Sequence, residues 1–281
     1  MNSPVFRNPQ SAPDGSLGLF TRLAIARGVS VRCGGVPREQ FAFGETKELL
    51  ATLDEAARRS GVSRGQAFED FLHMSVCALS GGEMEADYLQ IAQKHSGGKP
   101  GRRGCDEIAK LFGQVVSVME ETRQDVLGDL FQGAITYGEA GQFLTPDAIT
   151  RLMADMSLAD MPEESRESRR VLDPCCGSGR MLLSVAERQP HWEFIGQDVD
   201  LRCVRMTAIN LALRNLYGYV IWGNSLTNDR RLIYRTGSMP GDSSAPSSLA
   251  NVPRPCNKSS PNPQTSSQRV HVPSRRTPRV R

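Results

Sequence analysis

Nowhere in the 281 residues is there an apolar run of about 18, the length a membrane-spanning helix needs, so no membrane association is expected. The opening MNSPVFRNPQSAPDGS has no apolar core and does not read as a secretory signal. A cytoplasmic protein is the reading that follows. The seven cysteines, Cys33, Cys77, Cys105, Cys175, Cys176, Cys203 and Cys256, include no C-x-x-C pair, and only four histidines accompany them. That pattern argues against a disulfide framework and against a structural zinc, and no metal is expected. Net charge is also small, at +3, but it is unevenly placed. Residues 237–281 hold seven Lys or Arg against Asp242 alone, which leaves residues 1–236 at −3. That last segment has no aromatic residue and is dense in Ser and Pro. It cannot bury enough surface to offset its ordering entropy and is read as a disordered basic tail. Such a tail can hold nucleic acid loosely or simply keep the chain soluble.

What remains divides into three parts. Residues 1–42 are rich in Gly, Pro and Arg, with weak periodicity, and read as a flexible arm. Residues 43–138 read as a helical domain. There TKELLATLDEAARRSG ends on Gly61, and Ser63 is placed to cap a helix carrying Phe68, Phe71, Leu72, Val76 and Leu79 on one stripe. After the basic loop KHSGGKPGRRG, residues 94–104, a further apolar set follows: Ile108, Leu111, Phe112, Val115, Met119, Val126, Leu130 and Phe131. His73 and Met74 fall inside a helix and read as core or boundary residues. Residues 139–236 change pattern. RRVLD, WEFIGQD and YGYVIWGNS read as strands separated by the helices RMLLSVAERQ and LRCVRMTAINLALRNL. This alternation implies parallel pairing with right-handed crossovers. The predicted fold is therefore α/β: a partial Rossmann-like sheet preceded by an α-helical domain and followed by the tail. In such sheets the ligand crevice lies at the carboxyl ends of the strands.

The turn at that crevice is DPCCGSGRM, residues 173–181. A dinucleotide site needs a third glycine three residues after Gly179, and Leu182 stands there. A Walker loop needs Gly-Lys-Ser/Thr, and Arg180-Met181 follow instead. Asp173 would also repel a phosphate: like charges some 5 Å apart cost on the order of 3 kcal/mol at an effective dielectric of about 20. An anion at the mouth of a glycine turn suits a cationic ligand. S-adenosyl-L-methionine has no phosphate and carries a sulfonium and an ammonium. Asp198, at the end of the second strand, can accept both ribose hydroxyls. The plain alternative is that Asp173 and Asp198 only satisfy turn N–H groups.

GQFLTPDAITRLMADM (residues 141–156), DPCCGSGRML (173–182) and GQDVD (196–200) resemble segments of S-adenosylmethionine-dependent adenine-N6 DNA methyltransferases. The resemblance is to the modification subunits of type I restriction systems, and it covers about 90 residues. It implies that Phe143, Thr145 and Pro146 contact the methionine end of the cofactor. Asp173, Gly177 and Gly179 would hold its amino acid part, Asp198 its ribose, and Asn224, where the family usually has Asp, its adenine. DNA is the implied substrate. A separate specificity subunit is the implied partner, since no target-recognition domain is visible. Each position has a structural rival. Thr145-Pro146-Asp147 is also a helix start, and Asn224-Ser225 can cap a turn. Cys175 and Cys176 read as turn fillers, and Trp192 as a residue packed on the sheet.

One part of the family pattern is missing. Its [N/D/S]-P-P-[Y/F/W] motif accepts the adenine amino hydrogens and stacks a flipped base. No two of the 17 prolines here are adjacent, and the two Asn-Pro-Gln segments, at Asn8 and Asn262, lack the aromatic. No catalytic residue is assigned. Only three strands are evident, with RLIY, residues 231–234, as a fragment, so the first strand is expected to be an open edge. Two readings follow: a methyltransferase that needs a partner chain to complete the sheet or site, or a cofactor-binding module without transfer activity. A helical interaction protein with an incidental glycine turn is a third.

Overall fold

The computed structural model describes residues 39, 41–136, 143–159, 169–238 and 249–252. Residues 1–38 and 40 of the expected N-terminal arm, Gly141-Gln142, and 239–248 and 253–281 of the expected tail lie outside them. The helical domain comprises α1 (Thr46–Ser60), α2 (Arg64–Leu79), α3 (Glu85–Lys94), α4 (Gly104–Thr122), α5 (Val126–Leu130) and a π-helical turn, Phe131–Thr136. As expected, Gly61 ends α1, and Ser63 caps α2 by accepting from Gln66 N at 3.1 Å. The predicted apolar stripes are the core: Phe68, Phe71, Ile108, Leu111, Val115, Val126 and Leu130 are buried to 0–2% exposure. Phe131 stacks on Phe68 with ring centroids 6.0 Å apart.

Helix α6 (Asp147–Leu158) leads into the sheet domain of β1 (Arg170–Asp173), α7 (Arg180–Ala186), β2 (Glu193–Asp198), α8 (Leu201–Leu213) and β3 (Gly218–Trp222). The strand order is β1-β2-β3, both pairs parallel, with Asp173 opposite Gly196 and Asp198 opposite Trp222. This is the predicted half of a doubly wound sheet. Helix α8 packs between the sheet and α2, so the two domains share one core.

Two strands then extend the sheet in a direction the sequence reading did not contain. β4 (Leu232–Thr236) pairs antiparallel with β3, and β5 (Ala250–Val252) antiparallel with β4. The fragment at 231–234 is thus a full strand on the β3 side. β5 corrects the reading of 237–281 as disordered throughout. A three-residue strand is too short to show periodicity. It is held instead by the ladder to β4, by the buried Leu249 and by the Leu249 N–H donated to Leu79 O at 2.9 Å. On the other side, among the described residues, β1 pairs only with β2 and is an edge, as expected.

The junction of the two domains carries a pH response. His73 on α2 is half-buried, and burial, reinforced by the positive charge of Arg205 on α8, lowers its pKa to about 4. Asp87 and Asp70 act the other way, and Lys94 adds to the lowering. The unfolded chain binds this proton near pH 6.5, so stability is full above that value and is lost as pH falls towards 4. A His73→Gln variant should show a shallower loss between pH 7 and 5 in urea unfolding; an unchanged slope would count against this assignment.

Candidate functional site

Local chemistry shapes the glycine turn. Gly177 and Gly179 adopt φ of 56° and 86°, the left-handed region that disfavours a side chain. A Cβ on Gly177 would stand 2.7 Å from Leu144 Cδ2, and one on Gly179 would meet Thr207 at 3.0 Å. The turn is tied to β2 by Cys176 N to Gln197 O, 2.9 Å, and to α8 by Thr207 Oγ1 donating to Gly177 O, 2.9 Å.

Both predicted carboxylates converge on this turn. Asp173 ends β1 and accepts from Cys175 N at 3.1 Å. Asp198 ends β2 and accepts from Gly177 N at 2.9 Å and from Asp200 N at 2.9 Å. The plain alternative of turn capping is therefore part of the truth. It does not use the carboxylates up: an ionised carboxylate has about four acceptor positions, and these bonds occupy one on Asp173 and two on Asp198. Burial raises the Asp173 pKa, the Cys175 N–H opposes the rise, and the negative charge of Asp198 adds to it. Among the described residues, no ion pair supplies a counter-charge to these two half-buried anions. An ammonium or sulfonium ligand supplies one, and a phosphate would worsen the repulsion. The bare glycine cradle and this anion pair fit the methionine and ribose parts of S-adenosylmethionine. When bound, that group supplies an electrophilic methyl carbon.

The other predicted positions are placed less uniformly. Asn224 lies two residues beyond β3, at the same sheet edge, but its Oδ1 accepts from Leu226 N at 2.9 Å, as the turn-capping rival required. Phe143 is 72% exposed, whereas its neighbour Leu144 is the residue packed on Gly177. Thr145 and Pro146 are exposed at the start of α6, and no side chain caps that helix. Thr145 contributes through its backbone, whose carbonyl accepts from Arg180 Nη1 at 3.1 Å. Cys176 is buried in the turn and Trp192 in the sheet domain, in line with their structural readings.

What sequence reading missed is the anchor beneath the turn. Asp125 caps α5 and is buried, and its carboxylate has four donors. Gly128 N (3.0 Å) and Asn210 Nδ2 (2.9 Å) reach Oδ1, while Ser178 Oγ (2.5 Å) and Arg180 Nε (3.0 Å) reach Oδ2. Asn210 Nδ2 also donates to Ser178 O at 2.8 Å. One carboxylate thus joins the helical domain, the glycine turn and α8. The visible signal was Arg180, a cation directly after the turn, whose partner lies 55 residues earlier in the chain.

Comparisons with known proteins bear on this geometry. Residues 122–252 match the model of the N-6 DNA Methylase family. That span runs from just before Asp125 to the end of β5. Two curated relatives come from Methanocaldococcus jannaschii. The type I restriction enzyme MjaIX methylase subunit is 28% identical over 136 residues, covering 44% of this chain and 23% of that one. The MjaVIII methylase subunit is 26% identical over 121 residues, covering 39% and 20%. Among solved structures, a type I restriction-modification methyltransferase subunit from Streptococcus thermophilus aligns with a TM-score of 0.34 and 12% identity, over 61% of this chain and 56% of that one. By the family model and the two curated relatives, the expected resemblance to type I modification methyltransferases is found, in the part that carries the site. The matched part spans less than a quarter of the length of the curated relatives.

Removing Asp125 leaves the Arg180 guanidinium buried without its partner. Asp125→Ala should cost about 3–5 kcal/mol of unfolding free energy in urea titration, the range for breaking a buried ion pair. A loss under about 1 kcal/mol would show that the network does not bear on folding.

Proposed function

We propose that this chain is the cofactor-binding part of an S-adenosylmethionine-dependent methyltransferase whose acceptor is adenine N6 in DNA. The observation that carries the reading is the pair of strand-end carboxylates converging on a glycine turn that lacks phosphate-loop chemistry. The match of residues 122–252 to an N-6 DNA methylase family supports the acceptor. Asp173 would take the cofactor ammonium and Asp198 the ribose hydroxyls. Gly177, Gly179 and the Phe143–Pro146 segment would line the methionine end, and Asn224 would lie towards the adenine. A cytoplasmic location accords with this activity, and no helix among the described residues is long and apolar enough to cross a membrane.

Transfer would require more than the described residues supply. No Asn-Pro-Pro-aromatic segment occurs in the sequence, and among the described residues the β1 edge leaves one row of backbone groups without a strand partner. Leu172 on β1 is 59% exposed beside that edge. These two features favour a partner chain, such as a specificity or second modification subunit, that covers β1 and completes the acceptor pocket.

Two measurements test the reading. In calorimetric titration with S-adenosylmethionine, Asp173→Ala and Asp198→Ala should each weaken binding by about 1–3 kcal/mol. Binding by the parent should also fall as pH drops through the raised Asp173 pKa, because the protonated carboxyl no longer attracts the ammonium, and Asp173→Asn should flatten that dependence. Unchanged affinity in both alanine variants removes the cofactor assignment. Tritiated methyl transfer to unmethylated duplex DNA should be negligible for the chain alone and appear when a modification-system partner is added. Transfer by the chain alone would show that its acceptor pocket is already complete.

A further inference from the structure

The helical domain carries a second concave feature, chemically opposite to the cofactor turn. The last turn of α1 and the loop between α3 and α4 enclose a cleft of about 460 Å³ lined by Arg58, Arg59, Gly97, Gly98 and Arg102. Every side chain of that lining beyond the glycines is a guanidinium. The two carboxylates nearby are shared and do not cancel the charge. Glu55 takes Arg58 as a fork, Oε2 accepting from Nε at 2.7 Å and Oε1 from Nη2 at 2.6 Å, and Oε1 also accepts from Arg59 Nε at 2.7 Å. The hydrogen bonds from Arg58 and Arg59 hold the Glu55 carboxyl down to about 2. Glu107 stands between Arg59 Nη1 at 2.9 Å and Lys110 Nζ at 3.8 Å. Arg59 Nη1 is buried, and despite that short distance it makes no hydrogen bond of adequate geometry. Arg102 is exposed and has no side-chain partner among the described residues. Lys99 stands in the same loop. Positive charge is thus concentrated on a body whose residues 1–236 sum to −3, so the cleft is not a sample of a generally basic surface.

We propose that this arginine cleft takes phosphodiester groups of a DNA backbone and so positions the duplex on the helical domain. The inference rests on the DNA methyltransferase reading for the identity of the polyanion. The cleft itself rests on the residues above. A guanidinium presents N–H donors that match phosphate oxygens; Arg102 has its whole fork to offer, and Arg58 and Arg59 offer the donors that Glu55 and Glu107 leave unused. The glycines add backbone without side-chain bulk. Guanidiniums engaged on phosphate oxygens carry no base information, so the contact would be independent of base sequence, and selection would be made elsewhere.

The test uses the full chain and a labelled mixed-sequence duplex of about 20 base pairs, long enough to offer several phosphate contacts at once. Binding is followed by fluorescence anisotropy over a salt series. Arg102→Gln breaks no ion pair among the described residues, and Arg58→Gln adds a second removal. Each should reduce the slope of log affinity against log salt by about 1, equally on duplexes of different sequence. S-adenosylmethionine affinity and the melting temperature should match the parent. An unchanged salt slope in the double variant overturns the proposal, including the case in which the basic tail alone carries the duplex. Weakened binding of inorganic phosphate with no change in duplex binding overturns it as well, since it would mark a small-anion site. Loss of duplex binding in the variants, in a chain that fails to bind S-adenosylmethionine, would uphold the cleft and refute the enzymatic reading.

Discussion

The Asp125 carboxylate is the point at which three separate parts of the chain are held to one geometry. It accepts from the first turn of α5, from Ser178 and Arg180 at the glycine turn, and from Asn210 in the middle of α8. Burying a carboxylate and a guanidinium together carries a desolvation cost that only near-complete hydrogen bonding offsets. Here all four acceptor positions are filled, and the guanidinium continues to the Thr145 carbonyl. The glycine turn therefore does not float on its strand. Its floor is fixed from below by a residue of the helical domain, while its ceiling, Leu144, is set by the same arginine through Thr145.

That fixed floor is what gives the two strand-end carboxylates their meaning. Asp173 and Asp198 leave adjacent parallel strands and lend part of their acceptor capacity to consecutive parts of one turn. The result is a local excess of negative charge that the fold maintains against its own electrostatics. The arginine cleft in the helical domain has the reverse excess, on a different set of elements. On the proposed function, the first would face a cationic cofactor and the second an anionic polymer, and neither would serve in the other's place.

The sheet shows the limit of reading from periodicity. β1, β2 and β3, with the helices between them, were legible because each alternates or repeats over enough residues to give a signal. β4 was visible only as a fragment and β5 not at all. The pairing that creates them, Leu232–Thr236 against β3 and Ala250–Val252 against β4, joins segments separated by a Ser- and Pro-rich stretch. Composition averaged over 237–281 hid the one buried leucine, Leu249, that returns the chain to the core. The site divides similarly. Asp173, Asp198 and the two glycines are recoverable from spacing, because a turn between strand and helix constrains its own few residues. Phe143 is the position that motif likeness points to; its side chain is exposed, and its neighbour Leu144 is the one packed on Gly177.

The amino-acid sequence by itself determined the helical bundle, the parallel half-sheet and the acidic glycine turn, since these follow from short-range periodicity and from the conformational demands of Gly177 and Gly179. Only the tertiary structure decided that Asp125 anchors the turn, that β4 and β5 extend the sheet away from an open β1, and that Arg58, Arg59 and Arg102 share a cleft. Each of those depends on partners ten or more residues apart, brought together by the tertiary fold, and no local pattern in the chain encodes such a meeting.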